Sequence, residues 1–525
     1  MTSTAADAAA ASSSSSSDDH GLVVGETRIR DVDGFSGTVV YVGPVASAKN
    51  QSETYAGIMW DDASRGKHDG SVICRRTNSI VRHFHCGPTQ GSFLRLSKLD
   101  RGVSLDSKLL RNKYVELEAP VVAPNNILPH TARTSSGRDK AIEFLGELKI
   151  RERQQLKDLE KISLRREGIS RASDEDLGEF GQIKDIDLAG NLLSNWAEVW
   201  AIIQQFPNLM NLSLAYNRIR DVTIPVQSLH HFRILNLNNC SISKFSTLEW
   251  IEASMPNLQE LCIAGANLSN IQGKSLRFLQ NLQVLDCSEC QLTSWDRITS
   301  TFGSLPNLEQ MSLDNNPIER ISDTPQGSFQ NLKAIQLAGT SIASWSDIEA
   351  LNCLSRIASL RLKNTPLTSK MGQGEVRAIT VARVPTLEYL NGSVISTQER
   401  TEAERRYVSL AVRLIAQAEA NQENQNGGPT GDEVRSEHPR LAELREKYKE
   451  MLVSTQGNGG GNNLAASVCN VTIISMAPSS CSMEPLQRRL PGSLQIGRLK
   501  ALCARSFGLD VDCMTLHFRT KVRTA

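Results

Sequence analysis

The residues able to do chemistry in this chain of 525 residues gather in a few short runs. Gly66-Lys67-His68-Asp69-Gly70 sets a cation, an imidazole and a carboxylate between two glycines, so a tight loop carries close-packed polar groups that a strand could not aim together. Such a loop suits the acidic end of a peptide. His83, His85 and Cys86 also lie close together, and their alternation puts both imidazoles on one strand face, yet no second ligand pair follows at zinc-finger spacing. Cys287 and Cys290 have C-x-x-C spacing, which a repeat described below explains better than a metal does. The chain holds no G-x-x-x-x-G-K-[ST] phosphate loop, no G-x-S-x-G elbow and no histidine with a convincing catalytic partner, so the expectation is a non-enzyme without cofactor or metal.

The elements that must position these residues form several domains, since a chain of this length exceeds one compact core. Its 58 basic and 57 acidic residues leave a net charge of +1, which gives no general reason to expect nucleic acid or a membrane surface. Residues 1–22, with serine from Ser12 to Ser17, read as a disordered tail without the apolar core of a secretory signal. Eleven scattered cysteines without such a signal favour reduced thiols in a cytosolic protein. No run approaches the ~20 apolar residues that span a bilayer.

From 183 to 395 the chain repeats itself. The template L-x-x-L-x-L-x-x-N/C/T-x-L is met first at Ile183-Ile186-Leu188-Asn191-Leu193 and last at Ile357-Leu360-Leu362-Thr365-Leu367, eight copies in all, with a closing cap at 385–392. Starts roughly 25 residues apart define leucine-rich repeats, each supplying one short strand and one return segment to a curved solenoid. Cys287 then occupies a leucine position and Cys290 the polar ladder position. Five residues after the ladder come Trp196, Val222, Phe245, Ile271, Trp295, Ile321 and Trp345, expected as core under the convex side. Strand alternation places Asp185, Asp187, Glu260, Asp286, Asp314, Arg361 and Lys363 on the concave face, which runs from acidic to basic and suits a large folded protein.

Residues 106–138 read as a linker, and 139–182 as a helical lead-in from Ile142, Leu145, Leu148 and Ile150 amid charges. Residues 396–466 read as a helical and Gly/Asn-rich linker. In 467–525 a strand at Val468–Ile474, a helix capped by Ser493 and a strand at Met514–Phe518 follow the order of a ubiquitin-like fold, incomplete at its end.

The loop, Gly37-Thr38-Val39-Val40-Tyr41, Tyr55-Ala56-Gly57-Ile58-Met59-Trp60 and Gly91-Ser92-Phe93-Leu94-Arg95 together resemble the CAP-Gly domain over residues 23–105. The resemblance implies binding of the acidic C-terminal tail of α-tubulin by Tyr55, Trp60, Gly66, Lys67, His68, Asp69, Gly70, Phe84, Phe93 and Lys98. Trp60, Phe84 and Phe93 would wall a slot for an aromatic side chain, while Lys67 and Lys98 meet carboxylates. Trp60 and Phe93 are equally accounted for as the core of so small a module.

The fold class is therefore multidomain: a small all-β CAP-Gly module, an α/β leucine-rich-repeat solenoid and a C-terminal α+β ubiquitin-like (β-grasp) domain. That order, with Gly-Lys-His-Asp-Gly in the loop, resembles the tubulin-folding cofactor E family. The resemblance implies a non-catalytic, cytoplasmic, cytoskeleton-associated chaperone. It would hold α-tubulin by tail and folded body, and with cofactors D and C and β-tubulin assemble or dissociate the heterodimer. A microtubule-associated CAP-Gly adaptor and a leucine-rich-repeat regulator of another enzyme are the alternative readings.

Overall fold

The computed structural model describes residues 21–50, 52–115, 131–133, 139–141, 159–269, 275–423, 429–449, 468–477, 480, 482–491, 494, 496–510 and 514–517. Residues 1–20, Ile142 to Ile150, Ile271, most of the Gly/Asn-rich runs, Ser493 and Phe518 lie outside them. The chain divides into two units, Met1–Leu444 and Arg445–Ala525.

The first unit opens with strands rich in β-branched and aromatic residues: β1 (Arg28–Arg30), β2 (Ser36–Pro44), β3 (Thr54–Trp60), β4 (Ser71–Ile73), β5 (Ile80–Arg82) and β6 (Gly91–Arg95). β1, β2, β3 and β6 form an antiparallel sheet in that order, and β4 pairs with β5. Leu22, Ile29, Val39, Ala56, Ile58 and Trp60 make its core.

Beyond it, β7 (Val103–Leu105) and α1 (Ser107–Val115) lead to the pair β8 (Thr131–Arg133) and β9 (Asp139–Ala141), then to β10 (Lys161–Ser163) and β11 (Ile169–Ala172). Here the structure departs from the sequence reading twice. Asp139–Ala141 and Lys161–Ser163 are strands, not parts of a helix. Leu159, Ile162, Leu164 and Ile169 fall on the leucine positions of one more repeat, and β10 pairs in parallel with β12 (Asp185–Asp187). The supposed linker after residue 105 begins as part of the solenoid: β7 pairs with β11, and Leu105 and Leu110 are buried in the solenoid core.

The solenoid continues through α2 (Trp196–Gln205), β13 (Asn211–Ser213), β14 (Ile234–Asn236), α3 (Phe245–Ser254), β15 (Glu260–Cys262), β16 (Val284–Asp286), α4 (Trp295–Phe302), β17 (Gln310–Ser312), β18 (Ala334–Gln336), α5 (Trp345–Ala350) and β19 (Ser359–Arg361). After α6 (Pro366–Ser369) and α7 (Gln373–Arg383), the hairpin β20 (Tyr389–Leu390) and β21 (Ser393–Val394) closes an 11-stranded sheet. Register holds the consensus residues abreast: Ile186 faces Leu212, then Leu235, Leu261, Leu285, Met311, Ile335, Leu360 and Leu390.

Side chains at the ladder position satisfy the backbone where the chain turns. Asn217 Nδ2 donates to the carbonyls of Leu188 (2.9 Å) and Leu214 (2.8 Å) and its Oδ1 accepts from Leu193 N–H (3.1 Å). Cys290 Sγ lies 3.2 Å from the Ile263 carbonyl in the same role, and both Cys287 and Cys290 are fully buried. On the convex side Trp196, Phe245, Trp295 and Trp345 each open a helix, whereas Val222 and Ile321 open none. Asn195, Ser294 and Ser344 cap three of these helices. Trp345 is half-buried rather than core, covered by the Arg383 guanidinium 5.4 Å from its ring.

α8 (Thr397–Glu423) is not a linker. It packs on α7 and on α9 (Gly431–Ser436), burying Tyr407, Val408, Ala411, Ile415 and Ala418, so it covers the apolar end that the last repeat leaves open. α10 (Leu441–Lys447) follows. The second unit contains the antiparallel pair β22 (Val468–Ile473) and β23 (Leu486–Pro491), then α11 (Ile496–Phe507) with Cys503 and Phe507 buried. Met514–His517, expected as a strand, is not one. Among the described residues no helix is long and apolar enough to cross a membrane.

Candidate peptide-binding groove

Gly66 to Gly70 is held against β6 by backbone pairing: Lys67 N–H donates to Gly91 O (2.7 Å), and Gly91 N–H donates to His68 O (2.7 Å). The glycines are there for space. A Cβ on Gly66 would stand 2.4 Å from the Gln90 carbonyl carbon, and Gly70, at φ +92°, would bring one to 2.0 Å from Phe84 O. Asp69 stabilises the turn from within. Its Oδ1 accepts from Ser71 N–H (3.0 Å) and its Oδ2 meets Arg82 Nη2 (2.7 Å), and the Ser71 bond foremost holds the carboxyl below its ordinary range.

His68 Nδ1 accepts from Gly70 N–H (3.0 Å), which leaves Nε2 as the protonated nitrogen. Its ring stacks on Phe93, centroids 5.0 Å apart, and burial pushes its pKa down, against the opposing pull of Asp69. Phe93 is also met edge-on by Phe84 (5.4 Å), His83 (5.3 Å) and Tyr41 (6.2 Å). Lys67 and Lys98 are exposed, and neither enters an ion pair among the described residues. The resulting groove has a half-exposed aromatic floor with a cation beside its loop and another beyond β6.

Three sequence expectations need revision. Trp60 does not wall the groove: it is 1% exposed and its Nε1–H donates to Ser92 Oγ (3.0 Å) in the sheet core. Tyr55 is half-buried and donates to Glu53 Oε2 (2.9 Å). Phe84 is 7% exposed and supports Phe93 more than it offers surface. Tyr41 and His83 take the places at the groove that the sequence reading gave to Trp60. Tyr41 stands opposite Gly57 on β3, which stands opposite Phe93 on β6, and only pairing across three strands brings them together. His83 Nε2 accepts from Ala46 N–H (3.3 Å), while His85 Nδ1 lies 3.0 Å from Arg82 Nη1. Among the described residues no three His, Cys, Asp or Glu side chains gather as a metal would require.

The module is docked on the solenoid. Asp61, just past β3, receives the buried Arg28 from its own sheet and Arg218 Nε (3.3 Å) from the solenoid. Arg220 donates to Gly25 O, and Arg30 Nη1 to Arg166 O (3.4 Å). A cavity of about 250 Å³ lies between the two, lined by Thr38, Trp60, Gln90, Ser194 and Ser241 among others. No groove aromatic lines it, so His68, His83 and Phe93 stay accessible in the docked arrangement.

On the concave face ion pairs cancel part of the expected acid-to-base gradient. Lys161 lies 3.7 Å from Asp185, and Arg165 lies 3.3 Å from Asp187, both from the first repeat, which the sequence reading took for helix. Asp314 meets Arg361 (3.6 Å), and burial raises its pKa. Glu260 accepts from Cys262 Sγ (3.5 Å) and Asp286 from Ser288 Oγ (2.6 Å). Lys363 is exposed.

A small sheet with a glycine-bracketed lysine loop, docked on a parallel-stranded leucine-rich solenoid, defines a CAP-Gly and leucine-rich-repeat protein. The CAP-Gly domain family matches residues 24–99, and the leucine-rich-repeat family (2 copies) matches residues 280–326. Tubulin-specific chaperone E of Danio rerio is 30% identical over 488 residues, covering 90% of this chain and 88% of its own. Tubulin-folding cofactor E of Arabidopsis thaliana is 28% identical over 490 residues (90% and 87%), and tubulin-specific chaperone E of Homo sapiens 27% over 512 (93% and 91%). The chain belongs to the tubulin-specific chaperone E family.

Proposed function

We propose that this chain is a cytoplasmic tubulin-folding cofactor that binds α-tubulin at two places, holding the acidic C-terminal tail in the CAP-Gly groove and the folded body on the solenoid. The observation that carries the reading is the groove itself: Lys67 and Lys98 have no carboxylate partner among the described ion pairs, and the half-exposed rings of Phe93, His68 and His83 pack together on the same module. An acidic peptide with an aromatic end supplies both missing partners. Each contact raises the effective concentration of the other.

In this reading the protein acts with cofactors D and C and β-tubulin to assemble or dissociate the heterodimer, without catalysis of its own, and works in association with the cytoskeleton. The β22–β23–α11 order is compatible with the start of a β-grasp domain. Binding of intact and tail-less tubulin by the wild-type chain and by Lys67→Ala/Lys98→Ala tests the division of labour. The double substitution should weaken capture of intact tubulin about tenfold or more and leave tail-less tubulin unaffected. Equal losses on both would refute it.

A further inference from the structure

In successive repeats the residue just before the ladder position turns the chain with positive φ. Glycine takes this place at Gly190, Gly265 and Gly339 (φ +71°, +77°, +70°), and asparagine at Asn239, Asn315 and Asn364 (φ +57°, +57°, +54°). These are the residues that tolerate left-handed backbone. Three repeats break the rule, the first of them at Arg166 (φ +58°), whose Cγ lies against Gly190. Glu289 (φ +57°) gains a hydrogen bond from Asn315 Nδ2 at 3.1 Å. Tyr216 (φ +59°) gains nothing comparable: its side chain is 62% exposed, with no ring contact or side-chain hydrogen bond among the described residues. A large side chain held in unfavourable backbone and given no partner within the fold is a candidate for contact outside it.

Its position supports that. Tyr216 follows concave strand β13 and precedes Arg218, which anchors the CAP-Gly module through Asp61, so it stands at the corner between the concave face and the docked module. Exposed Arg165 and Arg166 arrive at the same end of the solenoid from the first repeat, and among the described ion pairs only Asp187 and Asp61 oppose Arg165, Arg166 and Arg218.

We propose that Tyr216 is a binding hot spot for an acidic patch on the folded body of the protein whose tail the groove holds. This deepens the function proposed above and rests on it: a ligand with its tail on the module and its body on the concave face bridges the two surfaces that meet at this corner. Tyrosine suits the role because it offers a large amphipathic contact with few rotatable bonds.

The test uses the full chain, its Tyr216→Asn and Tyr216→Phe variants, tubulin with its C-terminal tails removed by limited proteolysis, and a synthetic acidic tail peptide. Asparagine relieves the backbone, so Tyr216→Asn should raise the thermal midpoint by about 1–2 °C while weakening tail-less tubulin about tenfold. Tail-peptide affinity should not change, and Tyr216→Phe should keep most of the binding. Wild-type affinity of Tyr216→Asn for tail-less tubulin would overturn the proposal, and so would a lowered thermal midpoint, which would make Tyr216 a structural residue. If the wild-type chain binds the peptide but not tail-less tubulin, this proposal falls and the groove survives; if it binds neither, the parent reading falls with it.

Discussion

Replacing His438 should change how stability depends on pH, because the end of the solenoid is closed around a histidine that must stay neutral. The His438 side chain, 6% exposed, receives the Tyr407 hydroxyl (2.9 Å) and Arg383 Nη2 (3.3 Å) at the same nitrogen, Nδ1. The guanidinium can only donate, so the neutral Nδ1 accepts from both, and a proton on Nδ1 would break the Arg383 bond and force the Tyr407 hydroxyl to turn from donor to acceptor. Burial first, and then the charge of Arg383, push His438 down to about 4 from an ordinary 6.5. The folded state therefore binds the proton more weakly than the unfolded chain. The stabilisation is complete above pH 6.5 and is lost as pH falls from 6.5 towards 4. The full shift corresponds to about 3 kcal/mol, of which about 2 kcal/mol is gone by pH 5.

Other buried groups tilt the raw profile the other way. Burial raises Glu349, Asp347 and Asp314, so their contributions to stability grow as pH falls. The informative quantity is the difference from His438→Asn, whose Oδ1 can accept the same two bonds but does not titrate. Urea unfolding followed by tryptophan fluorescence at pH 7.5, 6 and 5 measures it. Wild type should lose about 2 kcal/mol more than the variant between pH 7.5 and 5. Parallel profiles for the two proteins would show that the site is wet or that His438 is already charged in the fold, and would refute the reasoning.

Two further perturbations follow from local geometry. Gly70→Ala places a Cβ 2.0 Å from Phe84 O at φ +92°, so the loop cannot close. Tail-peptide binding should vanish, with a cost to the CAP-Gly module of about 3 kcal/mol or more; wild-type affinity in a peptide titration would contradict this. Asn217→Ala removes three bonds from a fully buried ladder position, and a loss of about 3 kcal/mol in urea unfolding is expected, well above that of an exposed polar-to-alanine change.

Legibility followed the range of the interactions involved. The loop Gly66 to Gly70 could be read because its glycines answer to local steric demands. The repeats could be read because one leucine spacing recurs and each copy buries the same positions. The extra repeat at Leu159 to Ile169 escaped because Glu167 occupies its ladder position and charges surround Ile162 and Leu164, so it resembled an amphipathic helix until its pairing with β12 was seen. Trp60 was misplaced for a related reason: an aromatic residue beside a functional loop looks the same in sequence whether it faces solvent or the opposite strand.

Sequence by itself determined the class of this protein: a glycine-bracketed loop carrying a lysine, a solenoid and the order that joins them, all set by short-range spacing and by which residues tolerate tight turns or burial. Tertiary structure decided what touches what. Pairing across β2, β3 and β6 put Tyr41 and His83 at the groove and Trp60 in the core, and the meeting of Arg218 with Asp61 fixed the module on the solenoid. The pairing of Asp185 and Asp187 with Lys161 and Arg165 belongs there too, because partners far apart in the chain become neighbours only when parallel strands stack in register.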